Sequence, residues 1–182
     1  MGLIGMTDDG EWALGRLVDR YAEFRTAAAL VQNNPEGLLR PPSDTANLNA
    51  LVDFVAIAES FSLSRLLAIA PDLSESTTRS WKNRESEWQR IGSTDLSEFQ
   101  DWDALMGFVA TRNAIQHGQG RLTTLQLKRF KTEVIAQLDA AKIHCDGDQL
   151  VVRVVDVDRS QKTCRNFIAW LDSEAPTPLT SA

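Results

Sequence analysis

Apolar residues recur at three- and four-residue steps along most of this chain, the spacing of one helix face. Leu14, Leu17, Val18, Tyr21, Phe24, Ala28 and Val31 predict a first helix from about Asp9 to Asn33. Asp8 followed by Glu11 resembles a capping box at its start. Asn33-Asn34-Pro35-Glu36-Gly37 ends it, and Pro41-Pro42 keeps the connection extended, because proline lacks an amide donor and disfavours helix in the residue before it. A second helix is predicted from Asp44 to about Ala70, on a stripe of Leu48, Leu51, Val52, Val55, Leu63, Leu66 and Leu67 that Pro71 closes. Glu59 falls on that stripe. A carboxylate on a buried face is costly unless paired, so Glu59 should meet an arginine or sit at a polar site between helices.

A third helix is predicted from Glu75 to Ile91 with Ser74 as its cap, carrying Trp81, Trp88 and Ile91 on one side and dense charge on the others. Core packing is the first explanation for the two tryptophans, and a base-stacking platform is the second. After Gly92-Ser93-Thr94-Asp95, the pattern resumes from Glu98 to Gln116 through Phe99, Trp102, Leu105, Met106 and Val109, and Gly118-Gln119-Gly120 stops it. Thr123 or Thr124 caps a further helix to about Lys142, with Leu127, Phe130, Val134, Leu138 and Ala141 on one side. Asp146-Gly147 signals a hairpin turn, and the valine-rich run from Leu150 to Val157 reads as a short strand. Asp158 or Ser160 then caps a closing helix with Cys164, Phe167, Ile168 and Leu171 on one face. The expected fold is an all-α bundle of about five or six helices with a short β-hairpin before the last. Residues 1–40 form an N-terminal helical extension, 41–174 the main helical domain and 175–182 a disordered tail.

Composition narrows the function. The chain has 182 residues, 43% of them hydrophobic, enough for one core, and a formal charge of −6 that argues against coating a polyanion by bulk electrostatics. The charge is uneven, however. Between Arg112 and Lys142, the cations Arg112, Arg121, Lys128, Arg129, Lys131 and Lys142 face only Glu133 and Asp139. A local phosphate contact is therefore available, with a solvated helix face as the plain alternative. Cys145 and Cys164 match neither a disulfide framework nor zinc spacing, and the adjacent His144 and Cys145 have no further ligands near them in sequence, so no metal or cofactor is expected. The acidic N-terminal stretch lacks a secretory leader and no apolar run is long enough to span a membrane, which predicts a cytoplasmic protein.

Candidate chemistry concentrates in Arg112-Asn113-Ala114-Ile115-Gln116-His117-Gly118. Asn113 and His117 share a helix face, so the amide can orient the imidazole or contact a ligand beside it. Arg112 and His117, five positions apart, lie about 140° from one another around the axis and about 7.5 Å along it. One ideal helix does not aim both at the same atom. Two such helices packed antiparallel across a two-fold axis would bring a second arginine and a second histidine into one groove. Imidazole exchanges a proton near neutral pH, and guanidinium suits phosphate oxygens and the charge that grows in a phosphoryl transition state.

Arg112-Asn113-x-x-x-His117 resembles the R-(polar)-x-x-x-H signature of HEPN domains, all-helical modules of toxin–antitoxin systems, phage defence and RNA-processing nucleases. At the level of pattern the resemblance spans roughly residues 45–173. It takes in the helix Phe54-Val55-Ala56-Ile57-Ala58-Glu59 and the late hairpin and helix ending Phe167-Ile168-Ala169-Trp170-Leu171. It implies a homodimeric, metal-independent endoribonuclease leaving a 2′,3′-cyclic phosphate and a 5′-hydroxyl. Arg112 and His117 would be catalytic, Asn113 and Glu59 supporting, and an antitoxin or defence-system protein would be a partner. Arg121, Lys128, Arg129 and Lys131 are the candidate RNA contacts. The competing expectation is a non-catalytic helical module that binds a partner protein or a nucleotide. A DNA-binding regulator is weaker, since no helix pair concentrates a basic recognition face.

Overall fold

The computed structural model describes residues 6–32, 44–74, 78 and 80–175. Among them are seven α-helices and one antiparallel hairpin, which makes the chain an all-α bundle with a two-strand excursion before its last helix. The helices are α1 (Asp8–Gln32), α2 (Asp44–Ile69), α3 (Trp81–Glu87), α4 (Trp102–Gly118), α5 (Thr124–Arg129), α6 (Lys131–Ala141) and α7 (Val154–Glu174). Strands β1 (His144–Asp146) and β2 (Gln149–Val151) pair with Cys145 opposite Leu150, around a turn with Gly147 at φ +64°. The first helix ending (Asn33 to Gly37), Pro41-Pro42, the predicted third-helix start at Glu75 and the tail from Pro176 lie outside the described residues.

One core joins these elements. Leu17 of α1, Leu51, Phe54, Val55 and Leu66 of α2, Leu105 and Phe108 of α4, Leu138 of α6, and Phe167, Ile168 and Leu171 of α7 are all buried in it. Burying each such side chain contributes about 2 kcal/mol. Helix α2 runs through the middle, packed on α1, α4 and α7, while α6 lies along α4. Trp81 and Trp88 belong to this interior, which removes them as a base-stacking platform. Trp81 meets Trp102 and Phe167 edge-on with centroids 5.8 Å apart, and the Trp88 indole donates to the Ser62 hydroxyl at 3.1 Å.

Several predicted boundaries move, each for a local reason. Thr7, not Asp8, caps α1: its hydroxyl accepts from the Gly10 amide at 3.2 Å, while Glu11 donates its own amide to the Thr7 carbonyl. The helix predicted over 75–91 is broken at Ser80, whose extended backbone and hydroxyl cap α3. After Glu87 the chain widens into a π-helical turn, Trp88–Gly92, in which Gly92 leaves room for the Trp88 ring: a β-carbon there would be 2.7 Å from it. The helix predicted from Glu98 starts at Trp102, after a 3-10 turn at Leu96–Glu98. The helix predicted from Thr123 to Lys142 is two helices: a capping box of Thr123 and Gln126 starts α5, and Phe130, at φ −126° and ψ 18°, interrupts the run. Phe130 is thereby 46% exposed, and Val18 is 53% exposed, although both were expected on buried faces. Finally, the valines expected to continue the strand open α7 instead. Arg153 is the N-cap, with its amide donating to the Asp156 carboxylate at 2.8 Å, so the helix starts well before Asp158 or Ser160.

Candidate functional site

Helix α4 positions the arginine, asparagine and histidine. Gly107, Phe108, Ala110, Thr111 and Ala114 face the core, which turns Arg112 and Asn113 to half-buried flanks and leaves His117 exposed on the last turn. The helix ends in a left-handed residue, Gln119 at φ 55°, and the Ala114 carbonyl accepts from the Gln119 and Gly120 amides. Gly120, at φ +85°, then lets the chain reverse toward α5.

Arg112 reaches back to α2. Its guanidinium lies 3.4 Å from the Glu59 carboxylate and donates to the Asn113 side-chain oxygen at 3.0 Å. The Asn113 side-chain oxygen thus accepts from Arg112, and no hydrogen bond joins the Asn113 amide to the His117 ring. Glu59 serves three donors. The Trp81 indole donates to it at 2.7 Å, and the guanidinium of Arg84 lies at 3.6 Å while also donating to the Glu59 backbone carbonyl at 3.1 Å. Arg84 is buried and lies over the Trp81 ring, 4.6 Å from its centroid. Burial pushes its guanidinium below the ordinary arginine value; Glu59 opposes this, and the nearby Arg112 adds to it. Two guanidiniums thus share one carboxylate, a local surplus of one positive charge. The Nε atoms of Arg84 and Arg112 are both buried without a hydrogen-bond partner.

Arg84 was not singled out in the sequence. Its only signal was position, three residues after Trp81 on a helix whose charged faces all looked solvated. The tertiary packing of α3 on α2 makes it a partner of Glu59.

His117 looks the other way. It borders a cavity of about 460 Å³ together with Asn113, Thr123, Thr124, Leu125 and Gln126. Gln126 is fixed there by its bond to the Ala110 carbonyl at 2.9 Å. Through Asn113, Leu125 and Gln126 this cavity continues into a larger groove of about 630 Å³ between α3, α4 and α6. Arg112 lines neither, so a single chain does not converge the two candidate catalytic groups. Of the candidate RNA contacts, Arg121 is exposed and pairs with Asp148 at 2.8 Å, and Lys128, Arg129 and Lys131 are exposed around the α5–α6 break. His144 is exposed on β1 and burial pushes the Cys145 thiol up. Among the described residues, no group of His, Cys, Asp and Glu side chains could hold a metal ion. No described helix is long and apolar enough to cross a membrane. In comparisons with known proteins, no family model, no curated protein and no solved structure matches this chain.

Proposed function

We propose that this chain is a metal-independent endoribonuclease of the HEPN type, working as a homodimer. The observation that carries the reading is the disposition of α4: an exposed imidazole on its last turn, and an arginine that retains a quarter of its side-chain exposure beside Glu59. Both are open to water on one helix but face different directions, so a second α4 is needed to bring an arginine and a histidine to one phosphate. In the reaction, one His117 takes the proton of a ribose 2′-hydroxyl, whose oxygen then bonds to the adjacent phosphorus. The bond to the 5′-oxygen breaks, and that oxygen receives a proton from the protonated His117 of the second copy. Arg112 exchanges Glu59 for the phosphate oxygens and stabilises the charge on the pentacoordinate phosphorus. Arg84 stays on Glu59 as its counter-charge, so the carboxylate is not stranded when Arg112 leaves.

The test is cleavage of single-stranded RNA by the purified chain in EDTA. His117→Ala should abolish cleavage while leaving the melting temperature nearly unchanged, because the side chain is exposed and supports no packing. Equal cleavage by the parent and the alanine variant would refute the assignment. The second reading, a non-catalytic module that binds a partner protein, is favoured by the apolar groove beside Asn113, whose rim is acidic rather than basic.

A further inference from the structure

The groove between α3, α4 and α6 has an apolar floor and an acidic rim. Trp102, Met106 and Val109 of α4 form the floor with Val134, and Leu125 and Phe130 stand 54% and 46% exposed at its edge. Large apolar side chains that open to water beside a concave surface mark a place where another molecule packs. The charged groups on its lining are Glu85, Asp103 and Glu133 against Lys82 alone. Burial, with repulsion from Asp95 and Glu133 and against the attraction of Lys82, pushes the Glu85 carboxyl above its ordinary value.

From Trp102 to Asn113 the groove runs about 16 Å along α4, room for about three turns of a docked helix. Helices α3 to α6 wall it and no strand borders it, so an extended segment would find no sheet edge to pair its amides and carbonyls. A helix satisfies its own backbone and needs only an apolar face. A phosphodiester backbone would bring like charge to the Glu85, Asp103 and Glu133 carboxylates.

We propose that this groove is the docking site for a cationic amphipathic helix of another protein, its apolar face on Trp102, Met106 and Phe130 and its lysines or arginines against Glu85, Asp103 and Glu133. The groove ends at Asn113, which it shares with the cavity beside His117, so a docked helix lies against the candidate catalytic face. The proposal does not depend on ribonuclease activity: the His117→Ala chain should bind as the parent does.

Fluorescence anisotropy with two labelled amphipathic helices of about 18 residues tests it. One is built of Leu and Lys, and the other is identical except for Glu in place of Lys. The full chain should bind the Leu/Lys helix and not the Leu/Glu helix. Phe130→Asp and Glu133→Lys, both at exposed positions, should each weaken binding about ten-fold or more. Asp19→Lys, which makes the same charge change in the separate cleft between α1 and α2, should leave it unchanged. No binding, equal binding of both helices, or equal weakening by Asp19→Lys would overturn the proposal. So would two other outcomes that reassign the groove. In one, Phe130→Asp dissociates a dimer of a chain that ignores the Leu/Lys helix; in the other, it abolishes binding of a single-stranded RNA by such a chain.

Discussion

Glu59 decides more at the residue scale than any other side chain, because the Trp81 indole and both the Arg84 and Arg112 guanidiniums depend on its carboxylate. Glu59→Gln keeps the shape and removes the charge, leaving Arg84 buried without a counter-ion. We expect it to cost about 3 kcal/mol of stability in urea denaturation; a change within about 0.5 kcal/mol would mean the guanidiniums find other partners. Glu85 has the opposite sign. Its carboxyl lies above the ordinary value of 4.5 in the folded chain, chiefly through burial, so the folded state holds the proton more tightly than the unfolded one. That contribution is present below the ordinary value and is lost as pH rises through the folded one, so at pH 7 the ionised group works against folding. Glu85→Gln should therefore raise the melting temperature at neutral pH, and the gain should fade as the pH falls below 4.5. A gain that is flat with pH would trace to packing instead. The sequence made Glu59 legible, since a carboxylate in an apolar stripe demands a partner. Arg84 and Glu85 were not legible, because burial on a short, densely charged helix depends on which neighbour covers it.

At the scale of elements, α4 packs tightly against α6. Gly107 permits it: a β-carbon there would lie 2.1 Å from the Gln137 carbonyl oxygen and 2.7 Å from the Ala141 methyl. A mid-helix glycine costs about 1 kcal/mol in propensity, and the close packing offsets that cost. Gly107→Ala should thus destabilise rather than stabilise, by about 2 kcal/mol or more in thermal or urea unfolding, despite alanine's better helix propensity. An increase in stability would show that α6 can move away freely. The long helices were readable to within a few residues wherever periodicity ran unbroken, as in α2. It failed at local signals that periodicity does not carry: the valines after Val152 open a helix whose N-cap is Arg153, with Asp156 accepting from the Arg153 amide, and the run through Phe130 splits where that residue leaves helical geometry at φ −126° and ψ 18°. Valine favours strands only where a partner strand is present, and β1 offers only three residues.

In the whole molecule, the first helix is not an appendage. The Thr7 amide and hydroxyl both donate to Asp172 of α7, at 2.8 and 2.5 Å, and Asp172 is itself buried against Arg65 of α2 at 3.5 Å. Tyr21 and Arg25 of α1 both reach Asp158 of α7, and Arg20 reaches Asp53 of α2. The start of the described chain, its middle and its last helix are thereby tied together. The proposed ribonuclease action would require a second copy, because Arg112 and His117 of one chain face different directions. The sequence by itself determined that the chain would be helical, where its longest helices run, and that Arg112, Asn113 and His117 share the end of one helix, because apolar spacing and local turn signals are properties of neighbours along the chain. Only the tertiary structure decided that Arg112 is held by a glutamate it shares with Arg84, that His117 borders a cavity Arg112 does not line, and that this cavity shares Asn113 with an acid-rimmed groove. Those depend on how helices distant in sequence pack, and the energy of a buried charge or an exposed phenylalanine is set by the atoms across the interface.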